Sequence, residues 1–372
     1  MTSGWGEGPK SRRPWVRLQS VDPTDCYSPP GFPIILSHHP RARGADREEW
    51  PAPDDEMDIT MTTVRPLGEG TSLVDILHQG NPGVIGTGVL QSTEGLGLVD
   101  PGPTACLGAL EDGLRELGAT LEDVGAVFLT HIHLDHATAT GAIVRRSPRA
   151  RVYVHPRGAR HMVDPSRLLA SASRIYGDAM ERLWGEFVPV PIDSIREVDE
   201  GARISFGDRQ LEVAYVPGHA KHHVAYFEGD GGAAWIGDVG GIRLGIGPAT
   251  PVTPPPDIDI ELWRESMDRV LAWKPARLVP THFGPVDEPE KHFAELEGSL
   301  VSWSERVLNS LEGVPEEGDS EDPLRAAAFA DWVRTGLAAQ VSDEALVELY
   351  DFASGFADSW WGLARYWRTR TQ

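Results

Sequence analysis

The sequence predicts an α+β protein in which two β-sheets pack face to face with helices outside. Short strand-like runs come in two sets, one from about residue 62 to 99 and one from about 202 to 237. Each set is followed by one or two helical segments and a further apolar strand, so the same strand-rich half occurs twice. The chain beyond residue 290 reads helical throughout, as an appendage to this body.

Residues 1–60 stand apart from the rest. They are rich in Pro, Gly, Arg and Asp, as in Ser28-Pro29-Pro30-Gly31 and Pro51-Ala52-Pro53-Asp54, and lack periodicity. This composition predicts a disordered tail, with Pro33-Ile34-Ile35-Leu36 the one run suited to docking on the body. Met57 and Met61 lie just before the first clean strand, so a later start codon also accounts for the tail. A metal-site domain is expected over 61–290 and a helical region over 291–372.

The first strands are expected at 62–66, 72–77, 83–90 and 95–99, with a turn at Gln79-Gly80-Asn81-Pro82-Gly83. Leu107, Leu110, Leu114 and Leu117 recur at three- and four-residue steps and predict a helix from Thr104 to Leu117. Val124 to Thr130 is an apolar run typical of a buried strand. A short helix over 137–146, a strand over 151–154 and a helical insert over about 158–186 follow; the insert's place in the chain suggests a cover over the site. The second set comprises 202–206, 209–216, 222–228 and 233–237, then a helix near 259–273 and a strand at 277–280. In the C-terminal helices, broken by the acidic stretch 316–322, Trp332, Trp360, Trp361 and Trp367 are expected to pack the interior.

Bulk properties narrow the function. The chain has 372 residues, 40% hydrophobic and 24% charged, as in a globular protein. Its 34 basic and 56 acidic residues give a net charge of −22, which opposes a nucleic-acid partner or an anionic membrane surface. Only Cys26 and Cys106 are present, without a C-x-x-C pair, and no secretory h-region or long apolar run occurs. A reducing cytoplasm and a small-molecule substrate are therefore expected; the oligomeric state is open.

The densest chemistry lies at Thr130-His131-Ile132-His133-Leu134-Asp135-His136, directly after the apolar run. Imidazole and carboxylate together suit a divalent metal such as zinc. Side chains at i and i+2 of an extended segment project to one side, so His131 and His133 can share one ion. Asp135 and His136 follow where the chain turns and can reach a second. Three more candidates each follow apolar strand residues and enter a loop: His219 in Val216-Pro217-Gly218-His219, Asp238 in Ile236-Gly237-Asp238, and His282 in Pro280-Thr281-His282. Two cations a few ångströms apart can share a water and bring its pKa from about 15.7 toward about 7, which makes a hydroxide nucleophile without a Ser or Cys. The seven side chains carry a formal charge of −2, from Asp135 and Asp238, which suits two divalent ions and a hydroxide.

These residues resemble the metallo-β-lactamase-fold hydrolase superfamily, in its glyoxalase II-like dinuclear branch, over about residues 62–290. The resemblance implies a four-layer αββα sandwich. It implies one metal held by His131, His133 and His219, a second held by Asp135, His136 and His282, and Asp238 bridging both, with zinc expected and iron or manganese as alternatives. Asp135 and Asp238 would serve catalysis as well as metal binding. It also matches Asp100 to an early Asp at a strand end, read either as a strand cap or as a group that orients ligands.

His155, after Val152-Tyr153-Val154, is a candidate for facing the crevice. His223 is read as supporting the site or the fold, and Tyr176 in the insert as a candidate substrate contact. His78, His161 and His292 are read as surface or packing residues. The tail beyond 290 shows no basic cluster of the kind a glutathione-binding relative carries. The expected function is a dinuclear metal-dependent hydrolase of a small ester, thioester or lactone. The same residues also allow a mononuclear-iron persulfide dioxygenase, using His131, His133, His219 and Asp238, or a non-catalytic metal-binding protein.

Overall fold

A computed structural model describes residues 63–68, 70–229 and 232–370. The expected tail over 1–60, with its run Pro33–Leu36, lies outside the described residues. The first half begins with four strands paired in antiparallel succession: β1 (Val64–Gly68), β2 (Thr71–Asp75), β3 (Gly86–Ser92) and β4 (Gly95–Val99). Helix α1 (Leu107–Glu116) carries the chain over to β5 (Val124–Phe128), which joins β4 in parallel. Then come α2 (Leu134–Ala137), α3 (Thr140–Arg146) and β6 (Arg151–Val154). The helical insert is α4 (Pro156–Val163), α5 (Ser166–Tyr176) and α6 (Met180–Trp184). A short strand that the sequence pattern did not reveal, β7 (Ile195–Glu197), closes this sheet in the order β1-β2-β3-β4-β5-β6-β7.

The second sheet, in the order β12-β11-β10-β9-β8, is made of β8 (Arg203–Phe206), β9 (Arg209–Tyr215), β10 (Val224–Glu228), β11 (Ala233–Trp235) and β12 (Arg277–Val279). Helix α7 (Ile260–Ala272) connects β11 to β12, and that pair alone in this sheet is parallel. Four helices follow: α8 (Pro289–Ser310), α9 (Asp322–Ala338), α10 (Glu344–Ser354) and α11 (Phe356–Arg370).

Three apolar cores separate four layers. Leu73, Leu90, Val99 and Phe128 of the first sheet meet Val213, Tyr226 and Trp235 of the second between the sheets. Val74, Val89, Val127 and Val152 on the opposite face of the first sheet pack on Leu110, Leu114 and Ile143. The outer face of the second sheet, through Ala214, Ala225 and Ala234, packs against Trp263, Leu296, Phe329 and Trp360. Strand side chains alternate between faces, and here both faces are covered, which is why β5 reads as an unbroken apolar run. Close sheet contact depends on Gly88: a Cβ there would lie 2.3 Å from the Trp235 ring. The C-terminal helices share one continuous core with the second sheet. Trp360 is fully buried there, while Trp332, Trp361 and Trp367 pack against it partly exposed.

Candidate metal centre

Several strand ends deliver polar side chains to one edge of the sandwich. Asp100 follows β4, His131 and His133 follow β5, and His219 follows β9 by way of Gly218. Asp238 follows β11 and His282 follows β12. Loops leaving rigid strands can aim side chains at a common point, where loops spanning the surface alone cannot. Gly218 shows how tightly this is built: its φ is +138° and a Cβ would lie 2.3 Å from the Trp263 backbone, so only glycine brings His219 to this place.

Two groups of donor atoms result. His131, His133, His219 and Asp238 each bring one atom within 4.8 Å of the others, and so do Asp135, His136 and His282. Such spacing can hold a metal ion in each group. Asp238 faces both. Its Oδ2 lies 3.3 Å from His219 Nε2 and 3.7 Å from His131 Nε2. Its Oδ1 lies 3.2 Å from His136 Nε2 and 3.6 Å from His282 Nε2. Asp135 Oδ2 stands 3.2 Å from His282 Nε2 and 3.6 Å from His136 Nε2.

The opposite ring nitrogens are tied to the scaffold. His219 Nδ1 bonds the Val252 carbonyl at 2.8 Å, and His282 Nδ1 bonds the Val84 carbonyl at 3.0 Å. His136 Nδ1 meets Asp100 Oδ2 at 2.9 Å. These bonds place the proton on Nδ1 and leave Nε2 as the free donor, the arrangement a metal-binding imidazole needs. His131 Nε2, His136 Nε2 and Asp238 Oδ1 are buried and have no hydrogen-bond partner among the described residues. Buried polar atoms are costly to leave unmatched, and their convergence on two points fits a pair of cations.

Electrostatics agree. Burial would lower the His136 pKa, yet the carboxylates of Asp238, Asp135 and Asp100 hold it well above the usual imidazole value. His282 is raised against burial in the same way by Asp238 and Asp135. Burial would raise Asp238, but His136, His219 and His282 hold it well below the usual carboxylate range. On the other side, burial and the neighbouring His136 and His133 push His131 well down. Burial and then His219 bring His133 down to about 4. The carboxylate-rich group thus attracts positive charge, while the imidazole-rich group stays neutral and keeps its lone pairs available.

A family model of the metallo-beta-lactamase superfamily matches residues 77–282, over half of the chain. The chain belongs to this superfamily. Among curated relatives, a metallo-beta-lactamase fold-containing protein of Sulfurisphaera tokodaii is 26% identical over 181 residues, which cover 47% of this chain and 67% of the relative. A hydroxyacylglutathione hydrolase of Synechococcus sp. (strain JA-3-3Ab) is 35% identical over 127 residues, 34% of this chain and 38% of that protein. The matched region thus spans well under half the length of that hydrolase. A metallo-beta-lactamase family protein of Thermus thermophilus shares the fold, with a TM-score of 0.60, 22% identity and coverage of 82% of this chain and 95% of that one.

The remaining candidates have distinct places. Asp100 is fully buried and orients its neighbours: Oδ1 accepts from the Thr130 amide at 2.8 Å, and Oδ2 accepts from the Thr130 hydroxyl at 2.6 Å and the Thr281 hydroxyl at 2.7 Å besides meeting His136. His223 Nε2 accepts from the Asp238 amide at 3.1 Å, and its ring stacks on His131 at 4.7 Å. His155 caps α4, its Nδ1 accepting from the Arg157 amide at 3.0 Å, and packs against Tyr215 at 4.4 Å. Tyr176 stands at the end of α5 with its ring 5.2 Å from Trp184. His78 and His292 are buried packing residues; His292 Nε2 bonds the Gly240 carbonyl at 2.7 Å and so steadies the loop after Asp238.

Sequence reasoning missed three residues here. His222 lies 5.7 Å from His133 and 6.2 Å from His131, ring to ring, and its buried Nδ1 has no partner among the described residues. Its signal was the doubled histidine His222-His223. Thr130 and Thr281 were legible too, since each directly precedes a site histidine in the same Thr-His pair and each hydroxyl reaches Asp100.

Proposed function

We propose that the protein is a dinuclear metal-dependent hydrolase of a small ester, thioester or lactone. The observation that carries this reading is the split of Asp238, one oxygen toward His131 and His219, the other toward His136 and His282. His131, His133 and His219 would hold one ion, Asp135, His136 and His282 the other, and Asp238 would touch both. Two divalent ions supply, when bound, Lewis acidity toward a carbonyl oxygen and a lowered pKa for water. The chain's own part is to fix this arrangement. Asp100 holds His136 and both Thr-His segments, and His223 holds the Asp238 backbone. Asp135, partly exposed beside buried His136 and His282, is the group placed to take a proton from an incoming water or pass one to a leaving group.

The hydroxyacylglutathione hydrolases support the ester and thioester class by similarity. The second donor group, as closely drawn together as the first, favours two ions over the mononuclear dioxygenase reading, which leaves Asp135, His136 and His282 without a use. Zinc is the expected metal because the donors are imidazole and carboxylate.

The test is an assay of chain loaded separately with zinc, iron or manganese against ester, thioester, lactone and phosphodiester panels, with metal counted in parallel. Hydrolysis of an ester, thioester or lactone at two ions per chain is expected. A single iron with oxygen uptake, or no hydrolysis of any of these esters, contradicts the proposal.

A further inference from the structure

Asp238 and His282 stand on separate segments, and the proposed centre needs them to meet. Asp238 lies in the turn Gly237–Gly240, and His282 follows β12. Arg243, just downstream of that turn, joins the two. Its backbone amide donates to the His282 carbonyl at 2.7 Å. Its side chain closes the same link from the other side. Arg243 Nε donates to His292 Nδ1 of α8 at 3.2 Å, and His292 Nε2 meets the Gly240 carbonyl at 2.7 Å. Because Nδ1 accepts, the ring proton stands on Nε2 and is donated to Gly240. Both ring nitrogens are thus engaged, and His292 is 1% exposed. Glu295, one turn further along α8, pairs with Arg243 Nη2 and so holds the guanidinium with Nε toward the histidine.

The first donor group is held by other means. His131 and His133 follow β5, and His219 is bonded to the Val252 carbonyl. Arg243 and His292 make no hydrogen bond to these three among the described residues. The link therefore touches the bridging carboxylate's turn and one ligand of the second group.

We propose that Arg243 and His292 are positioning residues that set the spacing of Asp238 and His282, so that α8, beyond the last ligand in the chain, governs how tightly the second ion is held. This rests on the two-ion hydrolase reading and gives the C-terminal helices a part in it. The Gly240 carbonyl is buried, and a buried acceptor that loses its donor is costly enough to move the turn. A metal site tolerates little such movement, since its donor distances are fixed within about 0.2 Å.

The test is titration of the metal-free full chain with zinc against a competing chelator, with bound zinc counted. The native chain is compared with His292→Phe, His292→Gln, Arg243→Met and His282→Ala. Phe keeps a ring and removes both bonds, whereas Gln keeps one acceptor and one donor. Met keeps the stem of Arg243 and removes its donors. Two ions are expected in the native chain. His292→Phe and Arg243→Met should weaken one of them by about 10- to 100-fold, as lost support for a ligand does. The other should stay within about twofold, the scatter of independent sites. The weakened ion should be the one that His282→Ala abolishes, and His292→Gln should restore most of the loss. Should His292→Phe fail to fold, Arg243→Met decides, because that side chain is 25% exposed. Equal weakening of both ions, weakening of neither, loss of the ion that His282→Ala retains, or a Gln variant as weak as Phe overturns the proposal and leaves the two-ion reading intact. A single ion in the native chain overturns both.

Discussion

Asp100 sits in left-handed backbone, φ +46°, a conformation that Asp tolerates better than most residues, and spends its whole carboxylate on Thr130, Thr281 and His136. Asp100→Asn should keep the fold and lower metal affinity or turnover by about 10- to 100-fold, as losing a supporting carboxylate does. Metal counting beside kcat checks this. His155→Ala is the contrast: removal of a helix cap should cost about 1 kcal/mol of stability and leave metal content near that of the native chain. Loss of metal in that variant would mean His155 is itself a ligand. The raised pKa values of His136 and His282 set a pH dependence. Without metal their protons stabilise the fold fully below about 6.5, and this contribution is lost as pH rises through their raised folded values. The chelated chain's Tm should therefore fall across that window. Affinity for the ion at Asp135, His136 and His282 should rise over the same window, because that ion must displace those protons. A metal affinity that does not change with pH would contradict the assignment of these two histidines.

At the scale of elements, α7 braces the site from behind. Trp263 is fully buried, its Nε1 donates to the Val239 carbonyl at 2.9 Å just after Asp238, and its backbone blocks any side chain at Gly218 just before His219. Trp263→Ala should destabilise by about 3–5 kcal/mol. Trp263→Phe should keep most of the packing yet loosen the Asp238 loop, so that metal affinity falls more than stability does. Chemical denaturation beside metal titration separates the two effects. Most elements were legible because their signals are local: leucine spacing for α1, a continuous apolar run for β5, turn residues between β2 and β3. The short β7 was not, since three residues pairing with β6 carry no periodicity of their own. The site was legible because its donors recur at strand ends. The links of Asp100 to Thr130 and Thr281 were not, because they join positions 30 and 181 residues apart.

At the scale of the whole molecule, the second sheet and α7–α11 share one core, so these helices should unfold together with that sheet rather than as a separate unit. No helix among the described residues is long and apolar enough to cross a membrane. Bound metal should raise Tm, more so the further ion concentration exceeds the dissociation constant. Everything in the proposed chemistry depends on two ions held by separate sets of side chains that meet at Asp238. Metal stoichiometry of the native chain beside His133→Ala, His282→Ala and Asp238→Ala tests this most directly. The account predicts two ions in the native chain, one in each histidine variant, and one or none in the Asp238 variant. Two ions retained in Asp238→Ala, or a native chain that binds one ion unaffected by His282→Ala, would contradict it.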